Sequence, residues 1–125
     1  MALKVTVQER AGGMYAIRPS GSIDSNTYTT LLTEVESIMN KNPKLLIFDM
    51  SDVNYVSSAG VGVVLTAEKT LRPKGVDVVM VHAQPHIRKV FDIVQALPSQ
   101  RIFASVQEMD NYLTEIQRKV KAGEM

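Results

Sequence analysis

Four consecutive apolar residues, Leu45-Leu46-Ile47-Phe48, stand between a break at Asn42-Pro43 and a polar stretch that begins at Asp49. A strand with one wet face alternates apolar and polar side chains, whereas an unbroken apolar run of strand length belongs to a central strand covered on both faces. Covering both faces takes helices or another layer, so this run alone directs the chain toward a layered α/β fold. The 125 residues suit one such domain. That length buries a real core and is too short for two.

The flanking segments agree. Leu3, Val5 and Val7 alternate with Lys4, Thr6 and Gln8 as in a half-buried strand, and Met14 to Pro19 forms a second strand after the turn Ala11-Gly12-Gly13. The two are expected to pair as an antiparallel hairpin. Gly21-Ser22-Ile23-Asp24 then leads into a helix whose stripe is Tyr28, Leu31, Leu32, Val35, Ile38 and Met39. Asp24, Ser25 and Asn26 are its candidate N-caps, and Asn42-Pro43 its stop. Asp49 to Val56 reads as a polar loop with a few apolar anchors. A second helix runs from about Ser58 to Leu71 and stops at Arg72-Pro73-Lys74-Gly75.

Val76 and Val78 to Val81 make the next strand, parallel to the first central one through a right-handed crossover. Pro85 opens a third helix with Ile87, Val90, Phe91 and Val94 on one face. Arg101 to Ala104 is a short last strand, and Val106, Met109, Leu113, Ile116 and Val120 mark a final helix. The expected order is ββαβαβαβα, an α/β fold with a mixed sheet packed against helices. It forms a single domain over residues 1–125, with an ordered core over about 3–118 and a flexible C-terminal tail.

Composition narrows the function classes. A net charge of +1 provides no field to draw the chain to nucleic acid or an anionic bilayer. The nearest thing to a basic cluster, Arg118-Lys119-Val120-Lys121, suits the C-terminal end of a helix. Cysteine is absent, which removes disulfides and thiolate metal sites. The N-terminus has no apolar leader, and no apolar run approaches the ~20 residues of a membrane span. A cytoplasmic protein is expected.

Ser57-Ser58-Ala59-Gly60 carries the most chemistry. It lies between the C-terminal side of a buried strand and the start of a helix, where ligands and modifications gather in open α/β sheets. Ser58 is expected at the N-cap, a plain structural role worth ~1 kcal/mol. The sharper role is phosphorylation, since first-turn amides and the helix dipole both favour an anion. Gly60 and Gly62 leave the surface around the serine bare for a partner's active site.

Other candidates fail on spacing. Gly60-Val61-Gly62 lacks the third glycine of a dinucleotide loop and any Gly-Lys-Ser/Thr, so tight packing explains it. His82 and His86 cannot share a helical face across Pro85, which argues against a metal. Neither serine has a nucleophile elbow around it, so no catalytic residue and no cofactor is expected. Asp24 reads as a helix cap. Asp49 and Asp52 read as solvated loop acids, or as groups able to set a nearby serine's hydrogen bonds or help hold an incoming nucleotide's Mg²⁺.

Leu46-Ile47-Phe48-Asp49-Met50-Ser51-Asp52-Val53, followed by Tyr55-Val56-Ser57-Ser58-Ala59-Gly60-Val61-Gly62-Val63-Val64-Leu65, resembles the signature of STAS domains. Gly21-Ser22-Ile23-Asp24 resembles the family's second marker, ahead of its first helix. The resemblance implies a non-enzymatic anti-sigma-factor antagonist that works by partner switching. Its partners would be a serine kinase that is also the anti-sigma factor and a PP2C-like phosphatase that resets the switch. The phosphorylated serine of the family corresponds to Ser58, and the partner-binding loop to Asp24, Ser57, Ser58, Ala59 and Gly60. Many members have Asp where this chain has Ser57. The family also includes stressosome-like scaffolds, ligand sensors and cytoplasmic domains of anion transporters, which form the alternative reading.

Overall fold

A computed structural model of the protein describes residues 3–94, 102–103, 107–108, 111 and 114. Strands β1 (Lys4–Arg10) and β2 (Met14–Ile23) form the expected antiparallel hairpin, with Arg10 opposite Met14. Helix α1 (Tyr28–Met39) follows, then β3 (Leu45–Asp49), β4 (Asp52–Val56) and α2 (Ser58–Leu71). A 3-10 turn at Arg72–Lys74 leads to β5 (Asp77–Val81), α3 (Pro85–Val94) and β6 (Ile102–Phe103). The stripe residues of the expected final helix, Val106, Met109, Leu113, Ile116 and Val120, lie outside the described residues. So does the expected tail.

The sheet runs β1-β2-β3-β5-β6, and every pairing beyond the hairpin is parallel. Leu45 to Phe48 is the central strand as expected, with exposures of 5%, 0%, 2% and 0%. Alternation divides it between two clusters. Leu46 and Phe48 join Ile17, Val78 and Met80 beneath Leu31 and Val35 of α1, Val64 and Ala67 of α2, and Phe91 of α3. Leu45 and Ile47 join Val79, Val81 and Phe103 on the opposite face. Val7, expected to be half-buried, is exposed on the edge strand β1 although it lies opposite the buried Ile17.

Two expectations are corrected. The stretch expected as a polar loop contains β4, which pairs in parallel with the second half of β2, Ser20 to Ile23, while β3 pairs with the first half, Met14 to Ile17. Asp52, Asn54 and Tyr55 are exposed and only Val53 and Val56 are buried, so the strand lacks the alternation that marks one. Gly21-Ser22-Ile23, expected as a lead into the helix, is the end of β2. There the register shifts at Gly21, whose φ of 119° only glycine adopts readily. The long β2 thus carries the chain past the end of β3 and gives β4 a template.

Candidate functional site

The site forms where β2 and β4 end side by side. Ile23 is opposite Val56, and the next amide, Ser57 N–H, donates to the Ile23 carbonyl at 2.8 Å. Ser57 stays extended, with φ −93° and ψ 177°, and α2 begins at Ser58. Gly60 then crosses directly over Ile23. A Cβ on Gly60 would stand 2.8 Å from Ile23 Cγ2 and 3.1 Å from both its Cβ and its carbonyl oxygen. The absent side chain is what lets the first turn of α2 rest on the end of β2. Gly62, expected to serve tight packing too, does not: an added Cβ there meets nothing within 4 Å.

This arrangement corrects the expected cap. The N-cap of α2 is Ser57, and Ser58 is the first helical residue. Ser57 Oγ makes no capping bond; it is buried and meets no partner among the described residues. Ser58 is exposed. The first ladder bond runs from Val61 N–H to Ser57 C=O at 3.0 Å, so the amides of Ser58, Ala59 and Gly60 lie ahead of it. The first turn of α2 contains no acidic side chain. An anion carried by Ser58 would therefore meet a helix N-terminus without a like charge in that turn.

Asp24 adjoins this point, one residue beyond Ile23. It is not the helix cap; that position is held by Thr27. Asp24 Oδ1 accepts from the amides of Asn26 at 2.8 Å and Thr27 at 3.1 Å, closing a turn ahead of α1. Thr27, almost fully buried, locks that turn by accepting from Asp24 N–H at 2.9 Å and donating to the Ser22 carbonyl at 2.8 Å. Asp24 thus follows Ile23, whose carbonyl holds the Ser57 amide and whose side chain underlies Gly60, so Asp24 and the stretch Ser57 to Gly60 adjoin at the end of β2.

Asp49 and Asp52 are not part of this cluster. Asp52 begins β4, about 13 Å of strand before Val56, and pairs with Arg18 at 3.1 Å across half-exposed surface. Asp49 ends β3, and its Oδ1 accepts from Ser51 N–H at 3.1 Å and from His82 Nδ1 at 3.2 Å. Burial works against its ionisation, but the bonds from Ser51 and the His82 imidazole outweigh burial and hold the carboxyl below its usual value. Neither acid is placed to orient Ser58 or to hold a metal beside it. His86 is elsewhere again, its Nε2–H donating to the Asn54 carbonyl at 2.9 Å. Among the described residues no three metal-ligating side chains come together, and no helix is long and apolar enough to cross a membrane.

Beside Ser58 lies a feature that sequence reading missed, a groove between α1 and α2 lined by Tyr28, Leu32, Ala59, Gly62, Val63 and Thr66. Tyr28 and Leu32 belong to the apolar stripe of α1, and nothing in the stripe marks them as its partly open end. A glycine in mid-helix was the available signal.

A family model describing the STAS domain matches residues 4–109. The chain belongs to the STAS domain family. A relative in Bordetella bronchiseptica, BtrV, is named as an anti-sigma factor antagonist and is 31% identical over 91 residues, 73% of this chain and 78% of its own. The anti-sigma-B factor antagonist of Listeria monocytogenes is 27% identical over 93 residues, 74% of this chain and 82% of its own. Among solved structures, the anti-sigma factor antagonist SpoIIAA in its unphosphorylated form aligns with a TM-score of 0.75 at 17% identity, over 90% of this chain and 97% of that one. The phosphorylated form of Bacillus SpoIIAA aligns with a TM-score of 0.71 at 17% identity, over 88% and 99%. The STAS fold is thus shared well beyond the level of sequence likeness.

Proposed function

We propose that this STAS domain is an anti-sigma-factor antagonist that binds a serine kinase acting as anti-sigma factor, and that phosphorylation of Ser58 ends that binding. The observation that carries the reading is the contrast between two adjacent serines at the start of α2. Ser58 is exposed on the first turn, whereas the Ser57 hydroxyl is buried. The names of the Bordetella and Listeria relatives support the same role.

The physical logic is local. A phosphate adds about −1.5 to −2 charges and three acceptor oxygens. At Ser58 the helix N-terminus favours that charge, so the domain keeps its fold. A partner surface fitted to a neutral hydroxyl meets bulk and charge that it cannot pair, and it dissociates. A PP2C-like phosphatase would restore the binding form. The domain itself supplies a surface and a hydroxyl, not catalysis.

Phosphopeptide mapping after incubation with ATP and the anti-sigma-factor kinases of the same genome tests this. Phosphate is expected on Ser58 and none in Ser58→Ala, which retains kinase binding. Ser58→Asp is expected to bind more weakly, and less completely so than phosphate because a carboxylate carries less charge. Phosphate on Ser57, or undiminished labelling of Ser58→Ala, refutes the assignment.

A further inference from the structure

The groove between α1 and α2 encloses about 230 Å³ and has no charged side chain in its lining among the described residues. Its position ties it to the serine. Ala59, in its wall, is the residue after Ser58, and Gly62 lies one helical turn farther on, about 6 Å along the axis. A protein that docks over Ser58 and the first two turns of α2 also covers this groove.

Gly62 is the unusual element. Its backbone is not left-handed, and an added Cβ would touch nothing within 4 Å. Neither the chain's conformation nor the internal packing requires glycine, although glycine in a helix interior weakens the helix. Gly60, two residues earlier, is required by Ile23. What the bare Gly62 does is keep open the floor between Tyr28 and Leu32 on one side and Val63 and Thr66 on the other.

We infer that this groove receives one large apolar side chain of the anti-sigma-factor partner, and that this anchor holds the complex which Ser58 switches. The inference rests on the partner-switching reading. The lining determines the chemistry: a leucine-like or aromatic group finds matching surface, while a charged group would lose hydration with no counter-charge. Adjacency to Ser58 also supplies the release step. A phosphate there stands at the mouth of the groove, and an apolar anchor seated beside it would strip water from the dianion.

The test is calorimetric titration of the anti-sigma-factor kinase of the same genome, purified, against wild type, Gly62→Leu, Thr66→Lys and the control Lys74→Ala in the 3-10 turn beyond the far end of α2. The first two variants should bind about 30-fold more weakly or worse, and the control within about threefold of wild type. Thermal unfolding of each variant checks the fold, and if Gly62→Leu does not fold, the exposed Thr66→Lys decides. Wild-type affinity in the folded groove variants, with Ser58→Asp still weakening the complex, overturns the groove and leaves the switching reading standing. A wild-type domain that neither binds nor is phosphorylated overturns both.

Discussion

Replacing Gly60 and Gly62 one at a time by alanine separates two effects that sequence alone merges. The intrinsic term is the same in kind at both sites, since alanine favours a helix over glycine by up to about 1 kcal/mol. The packing term is not. At Gly60 the new methyl would stand 2.8 Å from Ile23 Cγ2, whereas carbon atoms prefer about 3.5–4.0 Å. Ile23 cannot yield, because it is 1% exposed and its carbonyl, 3.1 Å from the same methyl, is held by Ser57 N–H at 2.8 Å. The first turn of α2 must therefore lift off β2, at the roughly 1–3 kcal/mol typical of overpacking.

Gly60→Ala should thus lose about 1–2 kcal/mol net, while Gly62→Ala should gain about 0.5–1 kcal/mol. Urea unfolding followed by circular dichroism reads both. With a slope of about 1–3 kcal/mol per molar urea, the two midpoints should separate by roughly 1 M, on opposite sides of wild type. In an Ile23→Ala background the Gly60→Ala loss should shrink without vanishing, because the carbonyl contact remains. A Gly60→Ala midpoint at or above wild type would refute the close approach of α2 to β2.

Leu46→Ala and Phe48→Ala, each at 0% exposure, should lose about 2–5 kcal/mol by chemical denaturation. Losses below about 1 kcal/mol at both sites would take β3 out of the core. Ser57→Ala should leave stability unchanged or raise it, because its buried hydroxyl makes no capping bond. Ser58→Ala should stay within about 0.5 kcal/mol of wild type, and a thermal scan showing the loss of a true cap, about 1–2 kcal/mol, would contradict both assignments. Asp49, whose folded pKa lies below its ordinary 3.8, binds fewer protons native than unfolded in acid. Its contribution is full above that value and is lost as pH falls below 3.8 through the lowered one. Urea midpoints from pH 6 down to 3 should accordingly fall less steeply for Asp49→Asn, and an unchanged slope would reject the pairing with Ser51 and His82.

What the sequence by itself determined is what local patterning encodes. The unbroken run Leu45 to Phe48 specified a strand covered on both faces, the stripe over Tyr28–Met39 and the stop at Arg72-Pro73-Lys74-Gly75 marked two helices, and the loop around Ser58 stood out by its place after a buried strand. Tertiary structure alone decided the rest, because those features depend on partners distant in the chain. Asp52 to Val56 is a strand only because β2 outruns β3 and presents an unpaired backbone edge. The sequence put Ser58 at the helix cap, whereas in the fold Ser57 holds that position, with its amide bonded to Ile23 and its hydroxyl buried, and Ser58 is left exposed. Gly60 and Gly62 differ for the same reason: the end of β2 lies against one and open space above the other. Asp49 and Asp52, near Ser58 in sequence, are carried away from it by the length of β4, since an extended strand separates its ends by about 3.3 Å per residue.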